Sequence, residues 1–303
     1  MKKSENLAIL GLLIAAVALG WQFLFAPAPK EPPRPEPVHV AVTPPPEETP
    51  EGEEKQVASA NLPLPTEHDA HPFPPHSPEI AIVIDDMGLN LSGSQRAIKL
   101  PRFITLSFMP YAERLGEQTA EARANGHELL LHMPMEPMGR QDPGPGALLT
   151  TLTPTDVHAR FVHALDSFEG FDGVNNHMGS RFTAYKAGME IVIGELEKRH
   201  LFFLDSRTSA QTVGESTAQE HGLPTIARDV FLDDSVQPDA IRAQLAAAEK
   251  VARRKGYAVA IGHPHENTLA ALEAWLPEAQ REGFVLVPVH DLIRARAIAA
   301  KGP

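Results

Sequence analysis

The chain has 303 residues, a net charge of −12, 6% aromatic residues and no cysteine. It carries no basic patch of any length, which excludes the electrostatic footprint of a nucleic-acid-binding protein. The missing cysteines exclude a disulfide framework and any thiolate site, so a bound metal must use His, Asp or Glu.

Residues 8–26 are uncharged and mostly apolar, with Lys2 and Lys3 in front of them. As a helix they reach roughly 28 Å, close to the ~30 Å hydrocarbon core of a bilayer. Lysines on the short flank and an acidic segment beyond predict an inner-membrane anchor, with everything after residue 26 in the periplasm. A cleaved signal peptide is the competing reading, with Ala18-Leu19-Gly20 as its cleavage site, and it would release the domain into the periplasm. Residues 27–78 hold 16 of the 29 prolines and nine acidic against three basic residues. Such a segment buries too little apolar surface to fold and reads as a disordered, acidic linker. His68, His71 and His76 near its end read as solvated linker residues.

Residues 79–303 are enough for one sizeable core. The β-branched run at 80–84 predicts a strand buried on both faces of a parallel sheet. It is expected to stop at Asp85-Asp86, where Gly88 lets the backbone turn away. Further strands are expected at 103–108, 128–131, 201–204, 257–261 and 284–287, with shorter ones at 173–175, 225–226 and 230–232. Helical patterns cover 112–125, 154–168, 187–199, 209–221 and 238–255, and Asn125-Gly126 and Lys255-Gly256 read as helix stops. This alternation predicts an α/β domain whose parallel sheet is open or closed into a barrel. No glycine-rich phosphate loop is present, so no nucleotide cofactor is expected.

In nearly every case the residues that could do chemistry lie just past a predicted strand. They are Asp85 and Asp86, then His132, then Asn175-Asn176-His177-Met178-Gly179-Ser180, then Asp205-Ser206-Arg207, then Gly262-His263-Pro264-His265. Parallel strands point their carboxyl ends the same way, so these segments should meet in one cleft. Adjacent carboxylates repel unless a cation lies between them, although a helix-capping pair is the alternative. One Asp and two His facing a cleft suit zinc or a related divalent ion with an open position. Asp86, His132 and His177 are the expected ligands, with Glu136 as a rival for the third place. Asp85 is then free to act as general base, His263 as the acid for the leaving group, and His265 as second choice for that acid. Asp205 is expected to orient the imidazole and Arg207 to hold substrate, unless the two simply contact each other. Asn176 and Ser180 are expected to support the site or touch substrate.

The ordered motifs Ile-Asp-Asp-Met-Gly, His-Met-Pro-Met-Glu-Pro, Asn-Asn-His-Met-Gly-Ser, Leu-Asp-Ser and Ile-Gly-His-Pro-His span residues 84–265. Together they resemble the divergent polysaccharide deacetylase family over essentially the whole folded domain. The resemblance implies a distorted (β/α) barrel of about seven parallel strands and kinship with metal-dependent deacetylases that remove N- or O-acetyl groups from chitin, peptidoglycan or xylan. It also implies Asp85 as base, Asp86 as ligand and His263 as acid. The chain departs from the better-characterised deacetylases at three places. Position 136 is Glu where they have the second His of a His-x-x-x-His pair, and their Arg-x-Pro-x-Gly segment has no clear counterpart. Their aromatic wall residue is also missing, with Trp21 in the anchor and Trp275 in a predicted late helix. The expected function is a membrane-anchored, zinc-dependent hydrolase acting on an acetylated cell-envelope glycan. The alternative is a non-catalytic envelope module that keeps the fold and binds a glycan or a protein.

Overall fold

A computed structural model describes residues 77–301. The expectations for the anchor at 8–26 and for the linker with His68, His71 and His76 lie outside the described residues. Among the described residues, no helix is long and apolar enough to cross a membrane.

The described region has nine strands and eight α-helices in largely alternating order, with one 3-10 turn at Phe182–Ala184. The strands are β1 (Glu79–Met87), β2 (Thr105–Phe108), β3 (Leu129–Met135), β4 (Gly173–Met178), β5 (Phe202–Asp205), β6 (Thr225–Ala227), β7 (Val230–Phe231), β8 (Tyr257–Gly262) and β9 (Val285–Leu286). The helices are α1 (Leu91–Ala97), α2 (Leu115–Ala124), α3 (Pro154–Leu165), α4 (Lys186–Arg199), α5 (Gly214–Glu220), α6 (Pro238–Lys255), α7 (Glu266–Arg281) and α8 (Val289–Lys301). The local signals are legible at several ends. Thr153 caps α3 by accepting from the Asp156 amide, Pro154 and Pro238 open α3 and α6, and Gly256 ends α6 in the left-handed region at φ +86°.

The strands pair in the order β6-β5-β4-β3-β2-β1-β8-β7, with β9 added on β1, and every ladder is parallel. The two ends of this path, β6 and β7, follow each other in the chain. Between them the Arg228 amide donates to the Asp205 carbonyl on β5, and the Asp229 amide donates to the Val259 carbonyl on β8. The sheet therefore curls almost into a barrel, yet no ladder joins β6 to β7 among the described residues. The expectation of about seven strands undercounts: eight lie along the path and β9 is a ninth. The short strands β6, β7 and β9 fall on the runs expected at 225–226, 230–232 and 284–287, so the lower count comes from the family resemblance and not from the residues.

Burial separates two cores, and this separation positions the site. Ile80, Ile82, Ile84, Leu129, Leu131 and Met133 pack outward under the helices. Ala81, Val83, Leu130, Leu204, Val259 and Ile261 pack inward, together with Val289, Leu292 and Ile293 of α8. Because side chains alternate along a strand, each inward row continues upward by twos. Ala81 and Val83 lead to Asp85, Leu130 leads to His132, and Val259 and Ile261 lead to His263. The inner rows are apolar at the amino end of the sheet and polar at the carboxyl end, which makes one end of the barrel a core and the other a site.

Candidate metal centre and active site

β1 does not stop before the acidic pair. It runs on through Asp85, Asp86 and Met87, and the chain turns only afterwards, at Gly88 with φ +94°. Ile84 pairs with Leu106 and Met87 with Phe108, so three steps on β1 face two on β2. This is a β-bulge, and at its centre Asp86 adopts φ +55°. In a regular strand two consecutive side chains point to opposite faces; the bulge re-aims Asp86 so that both carboxylates line one cleft. His132 and His177 are likewise within strands rather than beyond them, because β3 and β4 are longer than their apolar runs.

Asp86 Oδ1 lies 2.8 Å from His177 Nδ1 and 3.3 Å from His132 Nε2, and those two nitrogens are 3.3 Å apart. Asp86 Oδ1 is buried and makes no aligned hydrogen bond. Three potential ligand atoms thus face a common point, and this fits a divalent cation bound by two imidazoles and one carboxylate. Burial works against the Asp86 charge, but the two imidazoles outweigh it and hold the carboxyl well below the usual range. Glu136, the rival ligand, faces elsewhere. Its Oε2 accepts from the amide and hydroxyl of Thr150 at 2.6 and 2.7 Å, and its Oε1 pairs with Arg181 at 3.3 Å.

Asp85 is almost fully buried beside this cluster, 3.6 Å from His132 Nε2. Burial raises its proton affinity, against the pull of His132, His263 and the Asn175 amide. His132 Nδ1 is 2.7 Å from Asn175 Oδ1, and Asn175 Nδ2 donates to Asp85 Oδ1 at 2.8 Å. For the His132 ring, burial opposes protonation and the Asp85 and Asp86 carboxylates more than offset it.

His263 faces the pair from β8, with Nε2 3.9 Å from Asp86 Oδ2. Its Nδ1 is 2.9 Å from Asp233 Oδ1, while Asp233 Oδ2 accepts from the His263 amide at 2.7 Å and from Thr268 at 2.8 Å. Burial lowers the imidazole's proton affinity, but the bond to Asp233 and the nearby Asp85 and Asp86 charges push it up to about 9. Asp233, not Asp205, is thus the group that orients an imidazole here. Asp205 instead holds its own loop, accepting from the Arg207 amide, the Thr212 hydroxyl and the Glu215 amide at 2.9, 2.8 and 3.1 Å. Asp233 and Asp234 both follow the strand expected at 230–232, and nothing in the sequence sets one apart from the other.

The cleft has a volume of about 470 Å³ and opens to solvent. Asn176, Arg207, Arg228 and Phe231 line it with the groups above. Arg207 pairs with Glu215 at 2.6 Å, and Asn176 ties Met178 O to the Ser206 amide. Arg228, which sequence reasoning passed over, is clamped to the carbonyls of Ser206 and Arg207 at 2.6 and 2.8 Å and lies over the Phe231 ring. Ser180 is outside the cleft, accepting from the Met138 amide in a neighbouring loop. His265 is exposed at the start of α7, its ring 5.7 Å from that of His263.

The sequence matches the family described as divergent polysaccharide deacetylase over residues 82–293. An uncharacterized protein of Haemophilus influenzae is 38% identical over 225 residues, 74% of this chain and 80% of its own length. The uncharacterized protein YibQ of Escherichia coli K12 is 36% identical over 220 residues, 73% of this chain and 67% of its own. The crystal structure of an uncharacterized protein from Agrobacterium tumefaciens C58 superposes with a TM-score of 0.70 at 34% identity, covering 71% of this chain and 89% of that one.

Proposed function

We propose that this chain, which belongs to the divergent polysaccharide deacetylase family, is a zinc-dependent hydrolase that removes acetyl groups from a cell-envelope carbohydrate, held in the periplasm by residues 8–26. The observation that carries this reading is the convergence of Asp86 Oδ1, His132 Nε2 and His177 Nδ1 within 3.3 Å, with Asp85 on one side and the Asp233-bound His263 on the other. Asp86, His132 and His177 would hold a divalent cation, which would supply Lewis acidity toward an acyl carbonyl and a water. Asp85 takes a proton from the water that attacks the acyl carbon, a task suited by a carboxylate whose burial has raised its basicity. His263 hands a proton to the departing amine or alcohol. Asp233 fixes its Nδ1 and keeps the ring protonated at neutral pH, with Nε2 turned to the site. Met178, Phe231 and Ile261 give the cleft apolar walls for an acyl methyl group, and Phe231 is the aromatic ring in its lining. A wall with so little stacking surface favours a short stretch of glycan over a long chain.

The test is the zinc content of the purified full chain after mild preparation, with acetate release from acetylated chitin oligosaccharides. About one zinc per chain is expected, and Asp86→Asn is expected to weaken zinc binding by at least ~100-fold. A wild-type chain without stoichiometric divalent metal, or an Asp86→Asn variant with normal metal content, refutes the mechanism. The placement is tested by protease added to spheroplasts, where a protected domain refutes the periplasmic reading.

A further inference from the structure

We infer that Asn175 is a positioning residue that, through one side-chain amide, fixes both the tautomer of His132 and the place of Asp85; this rests on the reading of Asp86, His132 and His177 as a metal site. Asn175 is completely buried on β4, directly across the ladder from His132 on β3. Its amide makes four contacts, the full capacity of the group. Oδ1 accepts from Ser107 Oγ at 2.6 Å and lies 2.7 Å from His132 Nδ1, while Nδ2 donates to Asp85 Oδ1 at 2.8 Å and to Ser206 Oγ at 3.3 Å.

The direction of this amide follows from chemistry. If it were flipped, its oxygen would stand 2.8 Å from an oxygen of Asp85, which must be ionised to act as base and so brings no proton between them. With Nδ2 committed to Asp85, Oδ1 must be the atom that faces His132, so Nδ1 of that ring carries the proton. The nitrogen left with a free lone pair is Nε2, the one turned to Asp86 and His177. One amide therefore prepares a ligand and anchors the base in the same act.

The next residue supplies the contrast that separates positioning from ordinary structural bonding. Asn176 also uses both ends of its amide, but its partners are the Met178 carbonyl and the Ser206 amide, so it holds main chain together. The partners of Asn175 are all side chains, and Asp85, His132 and Ser206 among them line the cleft.

The experiment is zinc titration of the chelator-stripped full chain, calorimetrically, for wild type, Asn175→Leu and Asn175→Asp, with acetate release measured on the reloaded proteins. Asn175→Leu, which cannot accept from His132, is expected to bind zinc about 10- to 100-fold more weakly. Asn175→Asp still accepts from Nδ1 and is expected to stay within about threefold of wild type. It is nevertheless expected to lose at least ~100-fold in rate, because Asp85 now faces a carboxylate in place of a donor. A merely structural role moves both readouts together in both variants, and that result overturns the inference, as does wild-type zinc affinity in Asn175→Leu. Should Asn175→Leu not fold, the ¹⁵N shifts of His132 in the zinc-loaded wild type decide: a proton on Nδ1 is required, and zinc on Nδ1 overturns the inference. A wild type that binds no zinc defeats the underlying metal reading instead, so the two failures are told apart.

Discussion

Thr105 and Ser107 stand two residues apart on the same face of β2 and serve opposite ends of the barrel. At the amino end, Thr105 Oγ1 donates to Glu128 Oε2 at 2.6 Å, and the amides of Val289 and His290, opening α8, donate to its two oxygens at 2.8 and 2.9 Å. At the carboxyl end, Ser107 donates to Asn175, behind Asp85, Asp86, His132 and His177. Both ends bury acids, so burial alone does not mark function. What differs is saturation. Each Glu128 oxygen has its donor and the positive end of a helix beside it, whereas Asp86 Oδ1 has two nitrogens near it and no aligned hydrogen bond. Here the fully paired acid ties α8 to β2 and β3, whereas the oxygen left short faces two imidazoles at a point where a cation fits.

The comparison breaks if substitutions at the carboxyl end cost stability. Asp85→Asn is expected to lower deacetylation by about 10²- to 10⁴-fold while zinc content stays at wild type. Thermal unfolding should be unchanged or shifted upward, because a buried carboxyl with raised proton affinity has been replaced by a neutral isostere. A variant that unfolds, or one that retains full activity, contradicts the division of labour between Asp85 and Asp86. Asp233→Asn is the next largest effect. His263 must be protonated to act as acid, so the rate falls as pH rises through about 9. Without the Asp233 charge that limb moves to lower pH, and about tenfold is lost near pH 8. The folded state also holds the His263 proton more tightly than the unfolded chain does. This contribution to stability is full below about pH 6.5 and disappears as pH climbs through about 9, so Asp233→Asn should flatten it. An unmoved alkaline limb removes His263 from the acid role.

Much of this division was legible in the sequence, for a physical reason. Apolar runs at 80–84, 201–204 and 257–261 are long enough to declare parallel strands, and in such a sheet all carboxyl ends share one face. That logic alone brought Asp85, Asp86, His132, His177 and His263 together, and it placed Glu136 behind His177 as a rival for the third ligand. It failed where a residue's role depends on local geometry that polarity does not encode. The sequence could not show that β1 continues through Asp85-Asp86 on a bulge, because a charged pair ordinarily ends a buried strand. Nor could it separate Asn175, whose partners are side chains, from Asn176, whose partners are backbone, or pick Asp233 over Asp205 as the partner of His263. Glu128 also went unnoticed, since a glutamate at the start of a strand reads as solvent-exposed until α8 is known to return over it.

The amino end gives the smallest effect on chemistry and the sharpest sign. Burial pushes Glu128 up to about 8, against its bonds from Thr105, His290 and Val289. Between about pH 4.5 and 8 the folded protein therefore keeps a proton that the unfolded chain has released, and stability contributed by this group falls as pH rises across that window. Glu128→Gln has nothing to titrate, so denaturant unfolding at pH 5 and pH 8 should show a smaller drop than wild type. Glu128→Ala leaves the Val289 and His290 amides without their acceptor and is expected to cost about 1–3 kcal/mol at either pH. Zinc affinity should stay within about twofold in both variants, because no contact runs from Glu128 to the cluster at the other end of β3. A Glu128→Ala chain that unfolds normally but binds zinc poorly would mean that the two ends of the barrel are coupled, and that saturation does not separate structure from function in this fold.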